Sequence, residues 1–130
     1  MRKLLDLEDQ IMLELESSPR LDVETLSDLK DIMEEDFPVL LETYLADAVV
    51  RLDSIDAAAC EKNSDNLRES AHSFKGSSSN IGASRLALLS SNVELLAKDA
   101  QLDQAIPLIA QLHDEYEAVK VLLEQELAQS

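Results

Sequence analysis

The sequence predicts an all-α protein: an antiparallel four-helix bundle with additional helical segments at its N-terminus. Apolar residues recur every three or four positions through several long segments, as they do on one face of a helix. With only 2 Gly, 3 Pro and 3% aromatic residues, the composition favours helices joined by short turns over sheets. Four long helices with short links pack economically as an antiparallel bundle, and 130 residues suffice for one such core.

Two short helices are expected before the bundle. The first is predicted by apolar residues spaced by three or four positions, namely Leu4, Leu7, Ile11 and Leu15. It should end near Pro19, and we assign residues 1–20 to a helical extension and residues 21–130 to the bundle domain. The second follows Asp22, its expected N-cap. Its buried side should comprise Val23, Leu26, Leu29 and Met33.

The first two bundle helices are separated by a polar break. The first is expected to begin after Asp36, because Pro38 then lies in the first turn, which tolerates a missing N–H. The break at residues 63–65, Asn-Ser-Asp, supplies N-cap candidates for the second. That helix should run to about Ile81, with Gly82 in the left-handed conformation that commonly ends a helix.

The last two bundle helices complete the predicted fold. Ser84 is expected to cap the third, SRLALLSSNVELLAKD. The fourth should start near Asp103, with Pro107 in its first turn. Its predicted apolar stripe consists of Ile106, Ile109, Leu112, Tyr116, Val119, Leu123 and Leu127. The sequence shows no internal repeat and no domain linker.

The charge and the cysteine content limit the possible partners and locations. With 27 acidic against 11 basic side chains, the net charge of −16 repels nucleic acid and anionic membranes. The start MRKLLDLEDQIM lacks the apolar region of a signal peptide, and no window approaches the roughly 20 apolar residues of a membrane span. Cys60, in the run IDAAAC, is expected to be a buried free thiol. These features predict a cytoplasmic protein, and we expect a monomer.

The stretch AHSFKGSSSNIGA, residues 71–83, concentrates both glycines and one of the two histidines on one predicted helix. Helical spacing assigns one set of its residues to the core: Leu67, Ala71, Phe74, Ser78 and Ile81. It assigns another set to solvent: Asp65, Arg68, Glu69, His72, Lys75, Gly76 and Ser79. His72 is therefore expected to be accessible, near the middle of a rigid helix.

The neighbours of His72 suit it to carry a charged group. An exposed imidazole is mostly uncharged at pH 7, so one ring nitrogen keeps a nucleophilic lone pair. Lys75, at i+3, can reach oxygens of a group attached to the ring. Gly76, at i+4, costs roughly 1 kcal/mol relative to alanine, and steric clearance beside His72 is its simplest explanation. Residues 66–85 also have a net charge of +2, from Arg68, Lys75 and Arg85 against Glu69.

Three other kinds of site fit the sequence poorly. A nucleotide-binding P-loop needs G-x-x-x-x-G-K-[ST] between a strand and a helix, but Lys75 precedes its glycine and no strand pattern precedes either. The serines at 77–79 lack the G-x-S-x-G elbow of a hydrolase, and His113, on the last helix, has no reason to converge on them. Zinc would need more than His72, His113 and Cys60, which are scattered over three predicted helices.

Residues 72–82, HSFKGSSSNIG, resemble the motif of the histidine-containing phosphotransfer (HPt) domain family. That motif runs H-x-L-K-G, then small residues, then a glycine about ten positions after the histidine. The resemblance covers roughly residues 21–127 and is closest to free-standing bacterial members. Phe74 stands where the family commonly has leucine, and because this position faces the core, the difference concerns packing more than chemistry.

The resemblance implies a phosphorelay role. His72 would accept a phosphoryl group from a receiver-domain aspartate of a hybrid sensor kinase and pass it to the receiver of a response regulator. Lys75 would stabilise the phosphoryl group, and Gly76, Ser79 and Arg68 would serve receiver access and docking. The receiver would supply Mg²⁺, so this chain should need no cofactor or metal and should have no autokinase activity. The alternative is an acidic helical adaptor that binds a partner without phosphotransfer, although the intact histidine argues against it.

Overall fold

The computed structural model describes residues 7–129, which contain six α-helices and one 3-10 turn. The helices are α1 (Leu7–Ser17), α2 (Val23–Met33), α3 (Phe37–Cys60), α4 (Ser64–Asn80), α5 (Ser84–Lys98) and α6 (Leu102–Ala128). The 3-10 turn, Glu34–Asp36, joins α2 to α3. No β-strand occurs among these residues. None of the helices in this part of the chain is long and apolar enough to cross a bilayer.

Helices α3 to α6 form the bundle, which confirms the predicted fold class. Helix α4 packs between α3 and α5, and α6 packs against α5 and α3 to close the ring. The side-chain hydrogen bond between Tyr44, early in α3, and Ser78, late in α4, fits antiparallel neighbours. Leucine, isoleucine, valine and alanine from all four helices fill the core, together with Phe37 and Phe74, which are almost fully buried.

Three of the predicted helix ends are confirmed. The Asp22 side chain accepts hydrogen bonds from the backbone N–H groups of Glu24 and Thr25 and caps α2. The Asn63 side chain accepts one from the N–H of Asn66 and caps α4. After α4, Gly82 has a φ of 84°, the left-handed conformation expected of a C-terminal glycine.

The predicted cap of α5 is wrong. Ser84 is the first residue of that helix, and the N-cap position is occupied by Ala83, which makes no side-chain cap. Ala83 is fully buried in the turn after Gly82. Because this apolar residue enters the core, the helix begins at Ser84, one residue earlier than a cap at Ser84 would place it.

Four predicted placements near helix ends are also wrong. Val23, at the first position of α2, is 78% exposed, and Cys60, the last residue of α3, is exposed because the helix ends there. Helix α6 begins at Leu102, so Pro107 lies in its second turn instead of its first. The α6 stripe is correct from Ile109 to Leu127, which is partly buried against the core, but Ile106 is 56% exposed. Ala105 and Leu108 occupy the buried positions at this end.

The N-terminal extension contacts the bundle. Leu15 of α1 packs against the core, whereas Leu4 lies outside the described residues. Arg85 on α5 donates a 2.7 Å hydrogen bond to the backbone oxygen of Ser18. Arg20 forms a 2.9 Å ion pair with Glu115, a carboxylate otherwise buried on α6. These contacts join residues 15–20 to α5 and α6, and the division into two units at residue 20 stays a prediction.

Gly82 gives the first testable prediction. A Cβ at this position would lie 3.1 Å from Thr25 Cβ and 3.2 Å from the backbone oxygen of Asp22, in a backbone conformation that disfavours side chains. We expect Gly82→Ala to lower the free energy of unfolding by about 1–3 kcal/mol, measured as a lower urea midpoint at unchanged slope. Gly76→Ala is the control: its Cβ would meet nothing within 4 Å, so it should raise stability by about 0.5–1 kcal/mol. A Gly82→Ala protein as stable as wild type would contradict the argument.

Candidate functional site

Helix α4 has the two faces that its sequence predicts. On one side, all five residues assigned to the core are buried: Leu67, Ala71, Phe74, Ser78 and Ile81. Phe74 is fully buried, so the aromatic ring fits the bundle core. The buried hydroxyl of Ser78 shares a 2.9 Å hydrogen bond with the Tyr44 hydroxyl, which satisfies both polar groups. These contacts fix the rotation of α4 and hence the direction of its other face.

The other face of α4 presents the predicted site residues together. The His72 side chain is 67% exposed, near the middle of the helix. Arg68, Gly76 and Ser79 are exposed as well, and the Lys75 side chain is 34% exposed. A Cβ on Gly76 would find open space among residues 7–129, so packing within this part of the chain does not require glycine there. The surface beside His72 is therefore open toward the C-terminal end of α4.

Glu94, on the neighbouring helix α5, contacts both His72 and Lys75. Its Oε1 lies 2.9 Å from His72 Nδ1, and its Oε2 lies 2.9 Å from the Lys75 ammonium nitrogen. A carboxylate can only accept a hydrogen bond, so Nδ1 must be the donor. In the neutral ring the other nitrogen, Nε2, then has the lone pair.

The electrostatics of Glu94 favour its ionised form. Partial burial acts to raise its pKa, but the contacts and charges of Lys75 and then His72 outweigh burial and lower the pKa below the usual value. Glu94 is thus a carboxylate at neutral pH. A carboxyl group whose pKa is lowered by folding stabilises the fold above its ordinary titration range, and that contribution is lost as the pH falls through the lowered value.

The sequence reasoning missed Glu94. One signal was available, because Glu94 is the only acidic residue between Ser70 and Lys98 in an otherwise acidic chain. Its partners could not be deduced, since the contact depends on how α4 and α5 are aligned with each other. Spacing within a single helix does not determine that alignment.

The opposite edge of α4 is tied to α3 through Arg51, which the sequence reasoning also missed. The Arg51 guanidinium donates hydrogen bonds to the Ser73 hydroxyl on α4 and to the Asp47 carboxylate one turn earlier on α3. Ser73 directly follows His72. The helix with the histidine is therefore held by polar contacts on both sides, to α3 and to α5, which restricts its rotation.

The other candidate residues do not join this site. The Ser77 hydroxyl donates to the Phe74 backbone oxygen within α4. His113, on α6, lies 2.8 Å from Asp56 on α3, and Cys60 is at the end of α3. Within residues 7–129, no three histidine, cysteine, aspartate or glutamate side chains are grouped so that they could hold a metal ion. Ser77 and Ser78 therefore hydrogen-bond to groups other than a histidine, unlike the nucleophilic serine of a hydrolase.

Fold and site together define a class: a four-helix bundle that presents one histidine on the outer face of a bundle helix. A sequence model of the Hpt domain family matches residues 39–121. The chain belongs to the Hpt domain family, as the motif indicated, and its role is histidine phosphotransfer in a phosphorelay. A comparison with curated proteins found no match.

Solved structures agree with this assignment. The chain is 40% identical to histidine-containing phosphotransfer protein B (HptB) from Pseudomonas aeruginosa PAO1, with a TM-score of 0.85. The alignment covers 88% of this chain and 99% of that protein. A rice protein described as a histidine-containing phosphotransfer protein is 20% identical, with coverage of 95% and 96% and a TM-score of 0.76. The rice structure supports the fold alone.

Proposed function

We propose that Nε2 of His72 accepts the phosphoryl group. The observation that supports this most is the contact of Nδ1 with Glu94, which leaves Nε2 as the ring nitrogen with the lone pair, on a 67% exposed side chain. The donor is the aspartyl phosphate of a receiver domain in a hybrid sensor kinase. The acceptor in the next step is the receiver aspartate of a response regulator, and the same histidine serves both steps.

Beyond the nucleophile that His72 supplies, each transfer depends on positioning and charge compensation. Nε2 attacks phosphorus in line with the leaving aspartate oxygen, and such transfers depend on orientation and on neutralising the phosphoryl oxygens. Lys75 is one helical turn from His72 and places an ammonium group within reach of those oxygens. Mg²⁺ belongs to the partner receiver in this proposal, and this chain contributes no metal site of its own.

The surface around His72 suits a docking protein better than a small substrate. Gly76 and Ser79 are small, so the surface C-terminal to His72 does not protrude. Arg68 lies one turn before His72 on the same face. We propose that receivers dock over these residues and that the chain acts as a cytoplasmic monomer. Nucleic acid and membranes are not partners in this proposal, because the net charge of −16 repels both.

Transfer from receivers tests the proposal. Receiver domains purified from the source of this chain are loaded with ³²P-labelled acetyl phosphate, repurified, and incubated with the protein. We expect at least one receiver to label the chain within minutes, with a label that is stable to base and labile to acid. A receiver whose phospho-accepting aspartate is replaced gives the background. If the complete set of receivers leaves the chain unlabelled, the acidic adaptor is the better description.

Lys75 gives a second prediction. Lys75→Ala should slow transfer from the best receiver by about ten-fold, because a charge-assisted contact to the phosphoryl group is lost from a partly exposed site. Stability should change little, since the side chain is at the surface. Lys120→Ala, on α6, removes the same charge elsewhere and should keep the wild-type rate. An unchanged rate in rapid-quench measurements of Lys75→Ala would remove this residue from the site.

A further inference from the structure

A polar cleft of about 200 Å³ lies between α3 and α4, on the side of α4 that faces away from α5. Its lining residues are Arg51, Ser54, Glu69, Ser70 and Ser73. Pockets for small molecules usually measure about 300–1,000 Å³, so this cleft has room for a single side chain. Glu69 lies one helical turn before His72, and Ser73 directly follows it. A protein that reaches the histidine over this side of α4 therefore also covers the cleft.

Arg51 supplies hydrogen-bond donors to the cleft. Its guanidinium donates to Asp47 on its own helix and to the Ser73 hydroxyl on α4. These bonds use two of the five N–H groups, so three, on Nη1 and Nη2, have no acceptor among residues 7–129. The side chain is 31% exposed, and its two partners hold it in one position before another protein docks. Such a planar fork matches a carboxylate, whose two oxygens accept parallel N–H bonds.

The serines of the cleft also favour a ligand that accepts hydrogen bonds. The Ser73 oxygen accepts a bond from Arg51, so its own O–H group can donate to a ligand, as can that of Ser70. Ser54 differs, because it donates to the backbone oxygen of Val50. One guanidinium and two hydroxyls therefore line the same small cleft with donors.

The surrounding charge favours a carboxylate over a phosphate dianion. Asp47 pairs with Arg51, the exposed Glu69 lines the cleft, and the chain has a net charge of −16. A free dianion meets this repulsion without compensation. A singly charged side chain on a docking protein meets less repulsion, and the rest of the protein interface holds it in place.

We propose that the cleft binds an aspartate or glutamate side chain on the surface of the docking receiver, and that Arg51 thereby helps to select the receiver. The inference rests on the proposed function, because the partner is the receiver that exchanges phosphoryl groups with His72. A receiver without a carboxylate at this place buries the N–H groups of Arg51 unpaired, which weakens its binding. Arg51 acts in docking, whereas Lys75 acts on the phosphoryl group.

Glu69 has the opposite effect on the same contact. Its exposed carboxylate lines the cleft and repels an incoming carboxylate. Removal of this charge should therefore strengthen docking, whereas removal of the Arg51 charge should weaken it. A merely structural role of Arg51, through its bond to Ser73, predicts no gain from a change at Glu69.

Charge reversal tests the contact. The rate of transfer from the receiver that labels the wild-type chain fastest is measured by rapid quench. Each rate is divided by the labelling rate with phosphoramidate, a small phosphoryl donor that needs no receiver, so that any effect on His72 itself cancels. We expect this ratio to fall about ten-fold or more in Arg51→Glu and to rise about two-fold in Glu69→Gln. Lys120→Glu, on α6, makes the same change of net charge elsewhere and should keep the wild-type ratio.

A compensating substitution in the receiver identifies the partner side chain. Surface aspartates and glutamates of that receiver, outside its phosphorylation site, are replaced one at a time by lysine. One such receiver should restore transfer to Arg51→Glu and transfer more slowly to wild type. If Arg51→Glu has the same ratio as Lys120→Glu, or if no receiver variant restores transfer, the inference is wrong although the proposed function stands. If no receiver labels even the wild-type chain, the proposed function fails and the contact fails with it.

Discussion

A His72→Gln protein is expected to fold normally and to take up no phosphoryl group, from any receiver or from phosphoramidate. Glutamine has no ring nitrogen with a nucleophilic lone pair, so the N–P bond cannot form. The side chain is mostly exposed, and glutamine is a good helix former, so the free energy of unfolding should stay within about 0.5 kcal/mol of wild type. The measurements are ³²P labelling after gel separation and urea unfolding of the same preparation.

His113→Gln is the matched control for that experiment. His113 is the only other histidine of the chain, and it lies on α6 in contact with Asp56, away from the Glu94 contact. The same substitution there should leave the amount and rate of labelling unchanged. If acid-labile label persists in His72→Gln and disappears in His113→Gln, the acceptor is on α6, and our account places it on the wrong helix.

A Gly76→Gln protein should accept the phosphoryl group from receivers at a rate about 100-fold below wild type or lower. Phosphoramidate, a small phosphoryl donor, should still label it at nearly the wild-type rate. Gly76 is one turn after His72 on the same face of α4, so a long side chain there occupies the space over which a receiver must approach. The bundle itself has room, since no atom of the described residues lies within 4 Å of a Cβ at this position. Comparing the two donors therefore separates the chemistry of His72 from the docking of a receiver.

Gly76→Ala sets the scale for this steric effect. Its single methyl group should slow receiver transfer only a few-fold and should slightly stabilise the helix. Stopped-flow or rapid-quench transfer from one loaded receiver, compared across the three proteins, gives the series. If folded Gly76→Gln accepts phosphoryl from the receiver as fast as wild type, access is not the reason for glycine here.

The faces of α4 could be predicted from the sequence because they depend on one helix alone. Helical spacing separates Phe74 and Ser78 from His72 and Lys75 wherever the helix is placed, and the structure confirms this separation. The caps at Asp22 and Asn63 were predictable for the same reason, since each side chain bonds to backbone only two or three residues away.

The features that escaped prediction depend on more than one helix or on where a helix starts. The spacing predicted that Ile106 is part of the α6 stripe, but α6 begins at Leu102, and its first turns bury Ala105 and Leu108 instead. Glu94 belongs to the site only because α4 and α5 bring it opposite His72. The contacts of residues 15–20 with the bundle likewise join segments distant in sequence.

The central claim is that the phosphoryl group is bonded to Nε2 of His72, and locating that bond tests it most directly. Wild-type protein labelled uniformly with ¹⁵N is phosphorylated by a loaded receiver, separated from it, and examined by ³¹P and ¹⁵N NMR at alkaline pH. We predict one phosphorylated ring, that of His72, with phosphorus coupled to Nε2 and the signals of His113 unchanged. Phosphorus on Nδ1 of His72, on His113 or on a carboxylate would contradict the account.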